Sequence, residues 1–287
     1  VPRDVADLLK TTTDWFASRG IGSPRLDAEL LLGHVLELER LQLYTSFDRP
    51  LDSAELDRFR VLVRRRGADR EPVAYILGVK EFYSRDFAVD GRVLIPRPDT
   101  EVLVDLALER LPADSDGVVA DYGTGSGAIA VTLAAERPSL RVLALDLSPE
   151  ALEVARTNAA THGVDDRIGF VRSDGLERLP ERFVGGLAAI VANPPYISAE
   201  DRPTLAPEIL KHEPHGALFP GPDPLLHYRR LAAEGRRWLA PEGFVAMEVG
   251  HGQADDVVAL LEDAGWTDVV VRSDLARIDR VVSASVA

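Results

Sequence analysis

Val118-Val119-Ala120-Asp121-Tyr122-Gly123-Thr124-Gly125-Ser126-Gly127 decides the fold: an apolar run of strand length breaks into alternating glycines. A helix follows at once, since Ala128-Ile129-Ala130-Val131-Thr132-Leu133-Ala134-Ala135 joins good helix formers to enough apolar surface to pack on a sheet. Glycine lets a backbone come close to a ligand through its N–H groups, and the amino end of the helix faces the same spot. Arg141-Val142-Leu143-Ala144-Leu145-Asp146 then reads as a second strand ending in a carboxylate. It lies about twenty residues past the turn, where nucleoside-binding sheets place the acceptor for a ribose hydroxyl. A nucleoside cofactor is implied. Its identity stays open on this stretch, because with Ala128 as last position the turn also satisfies the dinucleotide pattern G-x-G-x-x-G/A. A tight turn with no ligand is the bland alternative.

Working outward, strand and helix keep alternating. Ser148-Pro149 caps a helix to about His162, Ile168-Gly169-Phe170-Val171 is a third strand with Asp174 behind it, and Leu187-Ala188-Ala189-Ile190-Val191-Ala192 is a fourth. A helix from Pro224 to Leu239, a fifth strand from Gly243 to Val249, a helix from Gln253 to Ala264 and two closing strands, Asp268 to Arg272 and Ile278 to Ser283, complete the pattern. Such order predicts an α/β fold: a doubly wound, mostly parallel, Rossmann-like sheet with a hairpin at one edge. Sites of such sheets lie at strand carboxyl ends. Gly123, Asp146, Asp174 and Asn193 all fall there.

Before the turn, the pattern from Val5 to about Gly67 is helical, with Ser23-Pro24 as a helix start and Asp52-Ser53-Ala54-Glu55 as a capping box. Phe82-Tyr83-Ser84, Phe87-Ala88-Val89 and Val93-Leu94-Ile95 are β-prone, with Asp90-Gly91 as a turn. Pro96-Arg97-Pro98-Asp99-Thr100-Glu101 opens a helix through Leu111. The expected organisation is a helical domain over 1–80, a β-hairpin linker over 81–97 and the Rossmann-like domain over 98–287. No repeat is present.

The 287 residues, 46% of them hydrophobic, suffice for a full core and a second, smaller domain. Zero cysteines exclude disulfides, thiolate catalysis and cysteine-ligated metals. No apolar run approaches the length of a membrane span and no charged-then-apolar leader is seen, so a cytoplasmic protein is expected. The chain opens on Val1 rather than methionine, which leaves its native start open. The formal charge of −14 argues against a broad phosphate-binding face. Arg58, Arg60, Arg64, Arg65, Arg66 and Arg70 form a local basic patch, read first as a solvated helix end and second as a docking surface. No metal is expected: His212-Glu213-Pro214-His215 has two histidines, but Pro214 keeps a regular helix from bringing them together and no third ligand is evident.

Asn193-Pro194-Pro195-Tyr196 follows the fourth strand and carries the chemistry. A residue before proline is pushed to extended geometry and proline offers no N–H, so the corner is rich in free carbonyls. With one carboxamide and one aromatic ring it suits a planar group bearing N–H donors, either an amide or an amino-base.

Over nearly its whole length the chain resembles the release-factor glutamine methyltransferases, the PrmC/HemK family. The matching segments are Pro72-Val73-Ala74-Tyr75-Ile76-Leu77-Gly78, Leu94-Ile95-Pro96-Arg97-Pro98-Asp99-Thr100-Glu101, Asp121 to Gly127, Asn193 to Tyr196 and Glu213-Pro214. The resemblance implies a class I methyltransferase fold and S-adenosylmethionine as cofactor, leaving as S-adenosylhomocysteine. Gly123, Thr124, Gly125, Ser126 and Gly127 would surround its methionine portion, with Asp146 on the ribose, Asp174 near the adenine and Asn193 beside it. It implies as substrate the glutamine of the Gly-Gly-Gln motif in class I peptide chain release factors, held by Asn193, Pro194, Pro195 and Tyr196. Of these Asn193, Pro194 and Tyr196 would be catalytic. A monomer with no direct nucleic-acid partner is expected, the helical domain docking the release factor. An adenine amino-methyltransferase of DNA or RNA and a non-catalytic cofactor-binding module are the alternatives. Tyr122 stands where leucine is commoner, Gly175 where some relatives place an aromatic beside adenine, and Arg277 where glycine is usual.

Overall fold

The structure, a computed structural model, describes residues 4–286. Val1, the open start of the chain, lies outside them. The chain divides into two compact units. The first runs through Val79 and also takes in Ala206–His212, and the second holds Lys80–Leu205 and the chain from Glu213 onward.

The first unit contains helices α1 (Val5–Ser18), α2 (Pro24–Leu36), α3 (Arg40–Tyr44), α4 (Ser53–Gly67) and α5 (Val73–Leu77). Their starts follow the sequence signals. Pro24 is the first residue of α2, and Asp52 and Glu55 exchange the two capping-box hydrogen bonds ahead of α4. Leu9, Phe16, Leu31, Leu32 and Phe59 form the fully buried centre of this unit's own core.

A hairpin follows, β1 (Val79–Phe82) and β2 (Arg85–Ala88), which belongs to the second unit from Lys80 onward. Its turn is Tyr83-Ser84, with φ of 52° and 57°. A two-residue hairpin needs positive φ at both central residues, which glycine and asparagine usually supply, so a Tyr-Ser turn gives no signal. Asp90-Gly91 does turn the chain, with the Val93 N–H on the Asp90 carbonyl at 3.1 Å and the Arg92 N–H on the Asp90 side chain at 3.0 Å, but residues 93–95 form no strand. Phe82 and Phe87 are buried with the sheet's own core residues.

Seven strands form the main sheet: β3 (Val118–Tyr122), β4 (Arg141–Asp146), β5 (Ile168–Arg172), β6 (Leu187–Ala192), β7 (Leu239–Glu248), β8 (Thr267–Ser273) and β9 (Asp279–Ser285). Their order is β5-β4-β3-β6-β7-β9-β8. The strands from β5 through β7 are parallel, and β9 pairs antiparallel with both β7 and β8. Helices α6 (Glu101–Arg110), α7 (Ala128–Glu136), α8 (Pro149–Thr161), α10 (Leu226–Glu234) and α11 (Ala254–Asp263) cover it, while α9 (Pro207–His212) belongs to the first unit. Helix α10 stops well short of the expected Leu239, where β7 has already begun. Two core clusters line the two faces, which is why the parallel strands read as nearly unbroken apolar runs. The chain leaves β3 for β4 and β5 on one side, then crosses to β6 on the other. The switch point therefore lies between β3 and β6, where sheets of this kind bind ligands.

Candidate active site

Register sets the rim. Tyr122 pairs with Leu145 and with Ala192, and Ala192 pairs with Met247, so the positions that follow, Asp146, Gly123, Asn193 and Glu248, stand side by side at the carboxyl ends of adjacent strands.

The glycine turn is built for room. Gly123 and Gly125 have φ of 76° and 54°, and a side chain on either would meet nothing within 4 Å, so both leave open space that a ligand can approach closely. Gly127 serves packing: a Cβ there would lie 3.1 Å from the Ala155 Cβ on α8. The expected array of free N–H groups is a different matter. Gly123 and Thr124 donate to the Leu145 carbonyl, Gly127 donates to the Thr124 carbonyl, and Gly125 donates to Asp146 Oδ2 at 2.9 Å. Those donors are spent inside the protein. A pyrophosphate, which a dinucleotide site cradles with N–H groups, loses them here. The buried Ser126 is fixed through its carbonyl, which accepts from Asn158 Nδ2 at 2.8 Å, while the same carboxamide exchanges hydrogen bonds with Ala88.

Two carboxylates support the turn. Asp146 accepts the Ser148 N–H on Oδ1 and the Gly125 N–H on Oδ2; burial raises its pKa and these donors restrain the rise. Each oxygen keeps a second lone pair for a ribose hydroxyl. Asp121 was not singled out by the sequence. It is fully buried, accepts from Thr124 Oγ1 at 2.6 Å and the Ala130 N–H at 3.2 Å on Oδ2, and has no partner on Oδ1. Burial pushes it up to about 7.

Asp174 pairs with Arg230 Nη1 at 2.8 Å beside a recess lined by Tyr122, Gly175 and Leu176. The sequence departures make sense there. A Cβ on Gly175 would come within 3.0 Å of the Tyr122 ring, so the tyrosine takes the space that a side chain at 175 would need. Tyr122 also shares a 2.7 Å hydrogen bond with His227 Nδ1. At Arg277 φ is 62°, a left-handed position that suits the glycine usual there.

At the opposite end of the rim Asn193 donates from Nδ2 to Thr100 Oγ1 at 3.0 Å. Pro194 is buried and Pro195 half-buried. Tyr196 points its hydroxyl at Glu248 Oε1, 3.4 Å away, and its carbonyl accepts from Gln253 Nε2 at 3.1 Å. Burial holds its phenol well above the usual range. Gly250 makes room for the ring, since a Cβ there would be 2.9 Å from Tyr196 Cδ2. Two matching segments also meet: Arg97 pairs with the buried Glu213, which accepts the Ile95 N–H as well. Thr100, Glu248, Gln253 and Asp121 are the site residues sequence reasoning missed. Only Asp121 lies within a motif of the turn; the others join the corner from remote positions.

Four of the six arginines of the patch are taken up in ion pairs. Arg60 pairs with Asp57, Arg65 with Glu71, Arg66 with Asp27 and Glu208, and Arg70 with Glu208. Arg66 is itself buried. His212 Nε2 bonds the Asp69 carbonyl, and among the described residues no group of three or more His, Asp or Glu side chains could hold a metal ion. Among the same residues no helix is long and apolar enough to cross a membrane.

S-adenosylmethionine fits what the chain offers: an open glycine face, a carboxylate with lone pairs to spare and committed N–H groups that disfavour a pyrophosphate. A rim that sets such a face directly beside an acceptor-rich Asn-Pro corner is that of an S-adenosylmethionine-dependent methyltransferase, and this is the class of the enzyme. Residues 7–78 match the family model described as the PrmC N-terminal domain, and residues 100–221 match the methyltransferase small domain. A release factor glutamine methyltransferase of Chlorobaculum tepidum is 45% identical, with 97% of this chain and 96% of that protein covered. Another, of Geobacter sulfurreducens, is 41% identical with 97% and 95% covered. The crystal structure of a methyltransferase from Pyrococcus furiosus, 15% identical, shares the fold with a TM-score of 0.52 over 80% of this chain and 98% of that one. The chain belongs to the release factor glutamine methyltransferase family.

Proposed function

We propose that this enzyme methylates the side-chain amide nitrogen of the glutamine in the Gly-Gly-Gln motif of class I peptide chain release factors. It would act in the cytoplasm, as a monomer and without a nucleic-acid partner. The observation that carries the reading is Asn193 at the rim position beside Gly123, its carboxamide nitrogen already engaged by Thr100. Its oxygen is then the end left to a substrate.

An amide nitrogen is a poor nucleophile because its lone pair is delocalised into the carbonyl. Bound S-adenosylmethionine supplies a strongly electrophilic methyl group. Gly123 to Gly127, Asp146, Asp174 and Asn193 are the residues that would hold it. What remains for the protein is to aim and polarise. Asn193 Oδ1 and the Pro194 carbonyl accept the two amide hydrogens, which fixes the direction of the nitrogen and stabilises the positive charge that grows on it. Pro195 keeps the corner extended, and Tyr196 packs against the amide plane. No strong base is required, because the proton can leave after the methyl group arrives.

We assign docking of the release factor to the helical unit, 1–80 in the sequence division, with 81–97 as linker and 98–287 as catalytic domain. A short loop alone offers too little surface for a selective interface. Mass spectrometry tests both parts. Incubation with S-adenosylmethionine should add one methyl group to the Gly-Gly-Gln glutamine of an intact release factor, with kcat/KM at least about 100-fold above that for a free Gly-Gly-Gln peptide. Methylation of adenine in DNA or RNA instead would overturn the substrate; equal efficiency on peptide and protein would overturn the docking role.

A further inference from the structure

A carboxamide at a reaction corner has two ends of the same shape, and only one of them offers an acceptor to a substrate amide. Turned the other way, Asn193 would set its own NH₂ against the NH₂ of the substrate. Thr100 Oγ1, 3.0 Å from Asn193 Nδ2, is the contact that holds it. A hydroxyl can donate or accept, so Thr100 alone does not choose the end.

Glu248 makes the choice possible. It closes β7 one rim position from Asn193, is 3% exposed, and has no hydrogen-bond partner on Oε2. By register this carboxyl stands beside Asn193, and Thr100, which receives Asn193 Nδ2, favours its charged form. A hydroxyl has one hydrogen, a carboxylate only accepts, and a carboxamide NH₂ only donates. Drawn toward the carboxylate, the hydrogen leaves the Oγ1 lone pair for Asn193 Nδ2. Oε1 meanwhile takes the Tyr196 hydroxyl at 3.4 Å, so the same buried side chain also meets the aromatic member of the corner.

We propose that Glu248 and Thr100 are positioning residues for methyl transfer: Glu248 polarises the Thr100 hydroxyl, and Thr100 holds Asn193 with Oδ1 turned to the substrate amide. This rests on the amide substrate argued above. The two ideas fail separately, since the substrate is read from the wild-type product and the positioning from variants.

Thr100→Val keeps the shape and removes the acceptor, while Thr100→Ser restores it. In the enzyme acting on intact release factor, Thr100→Val should lower kcat about 10- to 100-fold with KM and calorimetric S-adenosylmethionine affinity within about two-fold, and Thr100→Ser should recover to within about three-fold of wild type. Glu248→Gln should lower kcat about ten-fold, and added to Thr100→Val it should cost nothing further, because both act through one chain of contacts. In the ligand-free protein the Asn193 side-chain amide hydrogens should exchange slowly by NMR in wild type and Thr100→Ser, and rapidly in Thr100→Val. Should Thr100→Val not fold, the Glu248→Gln rate and its Asn193 exchange carry the test. Wild-type kcat in either Thr100→Val or Glu248→Gln, no rescue by serine, or fully additive losses would each overturn the proposal.

Discussion

Asp121 under the glycine turn and Glu248 under the Asn-Pro corner are nearly the same object in different company. Both are buried carboxylates, each with one oxygen lacking a partner, and burial pushes both up to about 7. Asp121 is held by Thr124 and the Ala130 N–H, within its own strand, turn and helix. Glu248 is met by Thr100 and Tyr196, far away in the chain. The first arrangement closes within ten residues of one strand, turn and helix. The second exists only once β6 and β7 are paired, and it lies under the corner we assign to the substrate. The carboxylate under the turn is thus held by contacts close in the chain, and the one under the corner by tertiary contacts.

The sharpest break between the two regions is expected from Asn193→Ala. Removal of one contact made in the transition state lowers turnover by about 100- to 1,000-fold. S-adenosylmethionine affinity, read by calorimetry, should change far less. Asp146→Ala should do the converse, weakening S-adenosylmethionine by about 1.5–3 kcal/mol through lost charged hydrogen bonds while the protein stays folded. An unchanged affinity would remove Asp146 from the cofactor side.

Stability against pH sharpens the comparison further. Glu248 titrates near 7 when folded, against 4.5 as its ordinary value, with desolvation as the cause and Asp99 adding to it, while Thr100, Arg280 and Tyr196 oppose. The folded state therefore holds a proton that the unfolded state has lost between those values. Stability contributed by this group is complete below about 4.5 and is lost as pH rises through about 7. Glu248→Gln cannot ionise, so it should gain about 1–2 kcal/mol over wild type at pH 8 and almost nothing near pH 4.5, by chemical denaturation. A gain that does not depend on pH would contradict the shift. The smallest effect is expected at Arg277, where φ of 62° strains a side chain. Arg277→Gly should stabilise by about 0.5 kcal/mol, with the greater chain entropy of glycine offsetting most of the relief.

These differences follow how much could be read from the chain. The parallel strands were legible as apolar runs, and the helix starts at Ser53 and Pro149 carry capping side chains, Asp52 and Ser148, while that at Pro24 carries a first-turn proline. The rim positions of Gly123, Asp146 and Asn193 followed from that. The hairpin turn was missed because Tyr83 and Ser84 adopt positive φ without glycine. Glycines in the turn were expected to free N–H donors, whereas register with β4 commits those donors to Leu145 and Asp146. Thr100 and Glu248 were invisible as site residues, since nothing in a linear pattern says that a helix-entry threonine and a strand-ending glutamate converge on residue 193. For the same reason Arg66 and Arg70 looked like part of a patch: their carboxylate partners, Asp27 and Glu208, lie far off in the sequence.

Single-turnover methyl transfer to intact release factor, followed as S-adenosylmethionine is raised to saturation, tests the division of labour most directly. Asp146→Ala should climb back to within about three-fold of the wild-type rate once cofactor is saturating, whereas Asn193→Ala, with wild-type thermal stability, should stay about 100-fold or more below it at every concentration. A folded Asn193→Ala enzyme that transfers methyl at a near-normal rate, or that is rescued by cofactor alone, would contradict the account.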